Sequence, residues 1–242
     1  MLTFVLIHGS WHDGSAWNPV ALHLQSLGHQ VFTPTMVGHG KGVEKAGVTH
    51  ARCTASIVDY IVKKDLDNFV LVGHSFGGTI VCKMAEFMPE RIRRMVFWNA
   101  FVLKDGNSLN DECPPHYRDL FDRVVLDSPD YTVMLPFSIW KDAFINDADP
   151  QLAKAAYDTL SAEPYMPFQE KLDLKRFYSL EIPRSYLNCM QDIALPPGEW
   201  GWHPRMSSRL GSFRLVEMPG SHEVLFTNPR GLAQKLIEGG RD

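Results

Sequence analysis

The chain has 242 residues, of which 45% are hydrophobic and 21% charged, and its formal net charge is −4. These proportions are ordinary for a folded globular protein and exclude the disordered, collagen-like and coiled-coil classes. The slightly acidic balance offers no attraction to phosphate backbones or anionic lipid, so we expect neither a nucleic-acid nor a membrane partner.

Short apolar runs and amphipathic segments alternate through the first hundred residues. Continuous apolar runs of strand length predict strands at residues 3–7, 30–33, 69–73 and 95–98. Helices are predicted between them, from Asn18 to a stop at Gly28, from near Arg52, and from residue 77 to the residue before Pro89. This alternation predicts a parallel sheet with helices on both faces.

The alternation breaks between residues 101 and 182. Apolar positions there share helix faces around residues 117–125, and Asp149-Pro150 begins a further predicted helix that runs to Leu160. We interpret 101–182 as a mainly helical insertion, and residues 1–100 and 183–242 as the core. The alternation resumes with strands at 185–189 and 213–218 and a last helix that begins at Asn228-Pro229.

The segment Gly73-His74-Ser75-Phe76-Gly77 matches the pattern G-x-S-x-G between a predicted strand and a predicted helix. A sharp strand-to-helix turn of this kind exposes the serine hydroxyl, and its glycines let the strand and helix approach each other. Glycine-containing turns produce the same pattern by chance, but here the flanking elements are the required ones. Ser75 is therefore the predicted nucleophile.

A serine hydroxyl is a weak nucleophile and needs a base within hydrogen-bond reach. Among ten histidines, His222 is the best placed, because it lies between the last predicted strand and the last predicted helix. Asp192 follows the preceding predicted strand. It therefore gives the order along the chain that accompanies this kind of turn, which is nucleophile first, then acid, then base. Glu199 is the competing acid, while Asn99 occupies the alternative acid position and cannot serve.

Acyl transfer also needs hydrogen-bond donors for the oxyanion. The backbone N–H groups of Ser10, after the first strand, and of Phe76, after the nucleophile, are predicted to supply them. His8 and His74 lie beside turns and are interpreted as structural. Aromatic residues predicted to contact the substrate are Trp11, Phe101, Phe137 and Trp140.

Together these residues resemble the α/β-hydrolase superfamily, and within it the branch of plant methylesterases and hydroxynitrile lyases with their bacterial relatives. The segments similar in order and spacing are residues 4–9 with Trp17, residues 70–78, and Gly220-Ser221-His222. The resemblance implies an α/β-hydrolase fold with a mostly parallel central sheet flanked by helices and an inserted, mainly helical cap. It also implies a small, rather apolar substrate and places Ser75, Asp192 and His222 at the triad positions.

Two departures from related enzymes argue against particular reactions. Hydroxynitrile lyases of this branch carry a lysine directly after the catalytic histidine, and Glu223 stands there, which disfavours cyanohydrin cleavage. Epoxide hydrolases and haloalkane dehalogenases of the same fold attack with an aspartate, and Ser75 argues against both.

The leading prediction is a carboxylesterase-like serine hydrolase that cleaves a small apolar or aromatic ester, or a lactone, through an acyl-enzyme. Two alternatives stay open: a cofactor-free lyase, oxygenase or cyclase in which His222 acts as base on the substrate, and a ligand receptor. We expect no metal and no cofactor, and a monomer and a homodimer both stay open.

The cysteines and the N-terminus allow two further predictions, one about thiol chemistry and one about location. Cys53, Cys82, Cys113 and Cys189 show no C-x-x-C spacing and predict buried free thiols rather than a zinc site or disulfides. No apolar run approaches the roughly 20 residues that cross a bilayer, and the first residues lack a basic leader, so we expect a cytoplasmic protein.

Overall fold

A six-stranded parallel sheet lies at the centre of the structure, a computed structural model that describes residues 1–242. In chain order, the strands of the molecule are β1 (Thr3–Ile7), β2 (Gln30–Phe32), β3 (Phe69–Ser75), β4 (Ile92–Ala100), β5 (Thr132–Val133), β6 (Glu163–Pro164), β7 (Arg184–Cys189) and β8 (Arg214–Met218). The order across the central sheet is β2-β1-β3-β4-β7-β8, and every neighbouring pair is parallel.

Helices cover both faces of this sheet and fill the segment between β4 and β7. They are α1 (Asn18–Ser26), α2 (His50–Lys63), α3 (Gly77–Phe87), α4 (Leu109–Glu112), α5 (Pro115–Val124), α6 (Phe137–Ile139), α7 (Pro150–Tyr157), α8 (Met166–Gln169), α9 (Lys175–Ser179), α10 (Val224–Thr227) and α11 (Pro229–Gly240). No helix is both long and apolar enough to span a bilayer.

The two faces of the sheet explain why its strands are continuous apolar runs. Phe4 and Leu6 of β1 point to a core shared with α1 and α11, whereas Val5 and Ile7 point to a second core shared with α2 and α3. Strands covered on both faces bury successive side chains on opposite sides. All residues of β3 are buried, so Ser75 ends a strand that lies inside the sheet.

Most element bounds agree with the sequence prediction, and the differences have local causes. The second helix begins at His50, before Arg52, because the Thr49 side chain accepts the Arg52 N–H and caps it. The helix after Asp149 ends at Tyr157 rather than at Leu160. The stop at Gly28 is confirmed by its φ of 83°, a conformation that favours glycine.

Residues 101–182, called the cap below, contribute no strand to the central sheet. They contain short helices, a π-helical turn over Trp140–Phe144, and the antiparallel pair β5–β6. Cap residues reach the end of β3, where they enclose a cavity with Ser75. The division into core and cap remains an interpretation of the sequence, but it names the two regions that meet at this cavity.

Candidate active site

The turn after β3 holds Ser75 in a strained conformation. Its φ is 52°, in the left-handed region that side-chain-bearing residues rarely adopt. Gly77 allows the close packing behind the turn, since a Cβ there would lie 2.7 Å from the carbonyl oxygen of His8. A Cβ at Gly9 would lie 3.1 Å from Cβ of Ser75. The glycines therefore let β1, β3 and α3 meet closely enough to present the serine.

His222 and Asp192 form a buried pair. The Nδ1 of His222 lies 2.6 Å from Oδ2 of Asp192, and both side chains are sealed from solvent. Asp192 is held in turn by Asn99, whose Nδ2 donates to the same Oδ2 over 2.5 Å, and by the Ala194 N–H, which donates to Oδ1. Asn99 itself has a φ of 34° and accepts the Cys189 N–H. Asn99 cannot act as the acid, but it orients Asp192.

The environment of His222 shifts its pKa. Burial lowers this pKa, but the charge of Asp192, its hydrogen bond and the charge of Glu223 outweigh burial, so the His222 pKa lies above its ordinary value. The ring stacks on Trp202 at 5.1 Å between centroids and meets Phe144 edge-on at 5.4 Å. These contacts fix the ring plane, and Asp192 leaves Nε2 as the nitrogen available to a reacting group.

Other histidines and Glu199 take positions that agree with their predicted lesser roles. The His74 Nε2 donates to the His222 carbonyl, and His8 bonds the Gly9 carbonyl and the Met36 N–H. Burial lowers the pKa of both rings, which keeps them neutral. Glu199 is exposed on the surface. The contact that Asp192 makes with His222, and that Glu199 lacks, supports the prediction of Asp192 as the acid.

Ser75 and His222 line one cavity without bonding to each other. Their side chains make no mutual hydrogen bond in this structure, as is common for catalytic groups before a substrate binds. Ser10 lines the same cavity, and its N–H donates to no acceptor of the protein. Phe76 directly precedes α3, where helix N–H groups are free of intrahelical partners. The cavity therefore contains a hydroxyl, a base and a free N–H donor.

The cavity is small and mostly apolar. Only about 30 Å³ of it is open to the centre of a water-sized sphere. A buried water needs roughly 10–15 Å³ by this measure, so the cavity has space for about two waters. Its lining residues are Ser10, Trp11, Ser75, Phe101, Leu109, Cys113, Tyr117, Phe121, Phe144, Phe168, Ala194, Leu195, Trp202 and His222. An ester can enter only if some of these side chains move.

The predicted substrate-contacting aromatics divide into two groups. Trp11 and Phe101 line the cavity. Phe137 and Trp140 do not: Trp140 stacks behind Phe144 at 5.8 Å between ring centroids, and Phe137 packs against Tyr157. Both belong to the layer outside the cavity, because the π-helical turn directs Phe144 rather than Trp140 toward His222.

Sequence reasoning missed several lining residues. Phe121 comes from α5 of the cap, whereas Trp202 and Leu195 come from the segment after β7. Their aromatic and apolar character was visible, but no periodicity tells which side of so short a helix or loop faces Ser75. Cys113 also lines the cavity, and all four cysteines are free and buried, as predicted. Burial raises the pKa of the Cys113 thiol to about 12.

One cluster has the spacing of metal ligands. Ligand atoms of His74, His222 and Glu223 lie within 4.8 Å of one another. Each side chain is already engaged: His74 with a carbonyl, His222 with Asp192, and Glu223 with His12. These partners explain the cluster without an ion, and the expectation of a metal-free site stays a prediction.

Comparison with known proteins places this geometry in a family. The model of the alpha/beta hydrolase family matches residues 4–235. The chain belongs to the α/β-hydrolase family. The structure of an extracellular α/β-hydrolase from a Paenibacillus species, described as homologous in structure and function to tobacco salicylic acid-binding protein 2, superimposes with a TM-score of 0.97. It is 44% identical, and the match covers 100% of both chains.

Curated relatives of this α/β-hydrolase include proteins named as esterases. A carbendazim-hydrolysing esterase of Nocardioides is 38% identical over 45% of this chain and 46% of that protein. Putative methylesterase 15 of Arabidopsis thaliana, a chloroplastic protein, is 26% identical over 97% of this chain. The match spans 56% of the plant protein, so the chain covers about half the length of either relative. The resemblance to plant methylesterases is thereby confirmed.

The comparison does not support the expected location. The Paenibacillus relative is described as extracellular. The cytoplasmic location expected from the sequence therefore stays a prediction.

Proposed function

We propose that this α/β-hydrolase cleaves small, uncharged carboxylic esters with an apolar or aromatic acyl group, through an acyl-enzyme on Ser75. The observation that carries the proposal is the joint lining of one apolar cavity by Ser75, by His222 bonded to Asp192, and by the unpaired N–H of Ser10. Nucleophile, base and oxyanion donor are the parts that acyl transfer requires.

The proposed reaction begins with attack of the Ser75 Oγ on the ester carbonyl while His222 Nε2 takes the hydroxyl proton. The Ser10 and Phe76 N–H groups stabilise the tetrahedral oxyanion. His222 then gives the proton to the departing alkoxide, which leaves as an alcohol. A water that gives a proton to the same nitrogen then attacks the acyl-enzyme; His222 returns this proton to the Ser75 Oγ as the bond to the acyl group breaks and the acid leaves. Asp192 stabilises the positive charge that His222 carries between these steps.

The substrate class follows from the cavity lining. None of its residues is Lys, Arg, Asp or Glu, so a charged acyl group would lose its hydration without gaining an ion partner. Seven aromatic rings favour a flat, apolar group; they belong to Trp11, Phe101, Tyr117, Phe121, Phe144, Phe168 and Trp202. The names of the relatives, which act on carbendazim or on methyl esters, point to small alkoxy leaving groups. A lactone would use the same groups.

The test is covalent labelling of Ser75. Wild type and Ser75→Ala are treated with an aryl fluorophosphonate and weighed intact, and 4-nitrophenyl acetate hydrolysis is followed for a burst. We expect one adduct and a burst in wild type and neither in the variant, with kcat lower by on the order of 10⁴–10⁶. Ser185→Ala is the control, because Ser185 is a fully buried serine that bonds the Gly239 carbonyl away from the cavity. It should keep wild-type kcat.

The same comparison separates the remaining alternatives. Turnover of a substrate that persists in Ser75→Ala would indicate chemistry in which His222 acts directly as base, as in a lyase or oxygenase. Tight binding of aryl compounds with no adduct and no turnover in wild type would indicate a receptor. Either result would overturn the acyl-enzyme.

A further inference from the structure

Every polar group of Trp11 is bound by the cap. Its backbone N–H donates to Oε2 of Glu163 over 2.8 Å, and its carbonyl accepts the Ser161 N–H over 2.9 Å. Its indole N–H donates to the carbonyl of Val133 over 3.1 Å. Val133 and Glu163 are paired across β5 and β6, so one small sheet of the cap holds this residue.

Glu163 is fully buried, and both of its oxygens have partners. Oε2 accepts the Trp11 N–H, and Oε1 lies 3.0 Å from Nε2 of His39. The other ring nitrogen of His39 lies 3.0 Å from the Val37 carbonyl, which can only accept, so that nitrogen carries a proton. A buried carboxylate is stable only with such partners. One of the two oxygens of Glu163 has a single backbone N–H of the core as its partner.

The residue that Glu163 holds adjoins the predicted oxyanion donor. Trp11 has a φ of 64°, a left-handed conformation that costs a tryptophan on the order of 1–3 kcal/mol unless its surroundings enforce it. The Trp11 N–H belongs to the peptide group that follows Ser10, so its bond to Glu163 fixes the orientation of that peptide. The turn directs the Ser10 N–H away from any protein acceptor while Ser10 lines the cavity.

We propose that Glu163 is a positioning residue for the oxyanion hole: from the cap, it holds the Ser10–Trp11 turn so that the Ser10 N–H faces the carbonyl attacked by Ser75. This role rests on the proposed function. The cap is then part of the catalytic apparatus as well as a cover, because its β5–β6 sheet holds the strained residue Trp11, which follows the donor Ser10.

Three variants test the proposal. Glu163→Ala removes the acceptor. Glu163→Gln can keep both hydrogen bonds, because its amide oxygen can accept the Trp11 N–H and its NH₂ can donate to neutral His39. Glu86→Ala is the matched control: Glu86 is also a buried glutamate, it bonds the side chain of Lys83, and it accepts the Phe177 N–H over 3.0 Å away from the cavity.

Each variant is assayed for kcat and KM with 4-nitrophenyl acetate. Inhibition constants are measured for two compounds: an aryl trifluoromethyl ketone, which forms an oxyanion on Ser75, and the matching aryl carboxylic acid, which does not. We expect Glu163→Ala to lower kcat about 30-fold and to weaken the ketone by a similar factor, with KM and acid binding within about threefold. Glu163→Gln should stay within about threefold of wild type. Glu86→Ala should lower Tm without changing kcat.

The contact is also measured without catalysis, by hydrogen exchange of the peptide that contains Trp11. Exchange should accelerate at least about tenfold in Glu163→Ala and in neither other variant, because the protecting acceptor is lost. The proposal is overturned if folded Glu163→Ala keeps wild-type kcat, if Glu86→Ala loses as much kcat, or if ketone affinity does not follow kcat. Wild type that hydrolyses no ester and labels nowhere would instead overturn the proposed function, whatever the exchange shows.

Discussion

The core and the cap place their contributions to the site by different means. In the core, backbone geometry positions the site residues: Ser75 ends a buried strand, and glycines such as Gly77 allow contacts that a methyl group would block. In the cap, single acidic side chains bond the core. Glu163 holds Trp11, and Asp147 accepts the Ser221 N–H beside His222. The core therefore tolerates little change in backbone, whereas the cap depends on a few buried polar contacts.

These contacts also bear on how a substrate enters. Besides Glu163 and Asp147, buried Glu112 at the end of α4 binds Arg205 and Arg209 of the segment after β7. The cap is thus bonded to the core on several sides of the cavity, and opening it as one body would break buried ion pairs. Rotation of aromatic side chains that line the cavity breaks none of them. For the proposed reaction, we infer that substrates enter through movement of these side chains, so that the cap's aromatics determine which of the proposed esters fit.

After Ser75→Ala, the largest effect is expected on the core side, from Asp192→Asn. The new amide keeps the shape but removes the charge, and its NH₂ can bond His222 in the tautomer that leaves no proton acceptor for Ser75. We expect kcat/KM to fall by on the order of 10³–10⁴. Glu199→Gln, at the exposed competing acid, should stay within about twofold. If kcat/KM of Asp192→Asn fell by less than tenfold, Asp192 would not be the acid of the triad.

The dependence of kcat/KM on pH provides a second test of Asp192→Asn. His222 must be neutral to act as base, so wild-type kcat/KM should fall as the pH drops through its raised pKa. Asp192→Asn removes the charge and hydrogen bond that raise this pKa, and burial, which lowers it, remains. The residual activity should therefore persist to lower pH than in wild type. An unshifted profile would mean that another group controls it.

Much of the core could be predicted because its signals are local. The strand Thr3–Ile7 and the helix begun by Asn228-Pro229 are where apolar runs and capping residues predict them. Ser75, Asp192 and His222 were identifiable because each stands at the end of a predicted element. That the three act as a triad remains part of the proposal.

The cap could not be predicted to the same depth, because its important contacts are long-range. Glu163 lies 152 residues from Trp11 along the chain, and nothing near it distinguishes it from a surface glutamate. Asn99 was rejected as an acid, correctly, but its bond to Asp192 spans 93 residues and was not foreseen. Among the aromatics, the sequence favoured Phe137 over Phe121, and only the fold shows which one lines the cavity.

That last difference provides the next test, Phe121→Ala. Phe121 is buried, lines the cavity and packs against both Trp11 and Phe168. We expect the free energy of unfolding to fall by about 3–5 kcal/mol. The space gained should raise kcat/KM for bulky aryl esters relative to acetate about tenfold. Phe137→Ala is the control and should change stability but not this ratio. Equal shifts in both variants would contradict the assignment of lining residues.

The smallest effect is expected where the cap meets the segment after β7, at Glu112. Burial raises the pKa of Glu112, but its hydrogen bond with Arg209 and the charges of Arg209 and Arg205 outweigh burial and hold it below the ordinary value of 4.5. A lowered pKa stabilises the fold above the unfolded-state value, and that contribution is lost as the pH falls through the folded-state value. Glu112→Gln should therefore lower the free energy of unfolding by about 1–3 kcal/mol at pH 7.

The distinguishing measurement is urea unfolding of wild type and Glu112→Gln at pH 7 and again well below pH 4.5. The difference between them should shrink in acid, because protonated Glu112 and glutamine then offer similar hydrogen bonds and neither carries a charge. Glu90→Gln, at an exposed position, should match wild type throughout. A difference that persists unchanged in acid would mean that Glu112 acts through shape alone, and the cap would then be bonded to the core less firmly than its buried ion pairs imply.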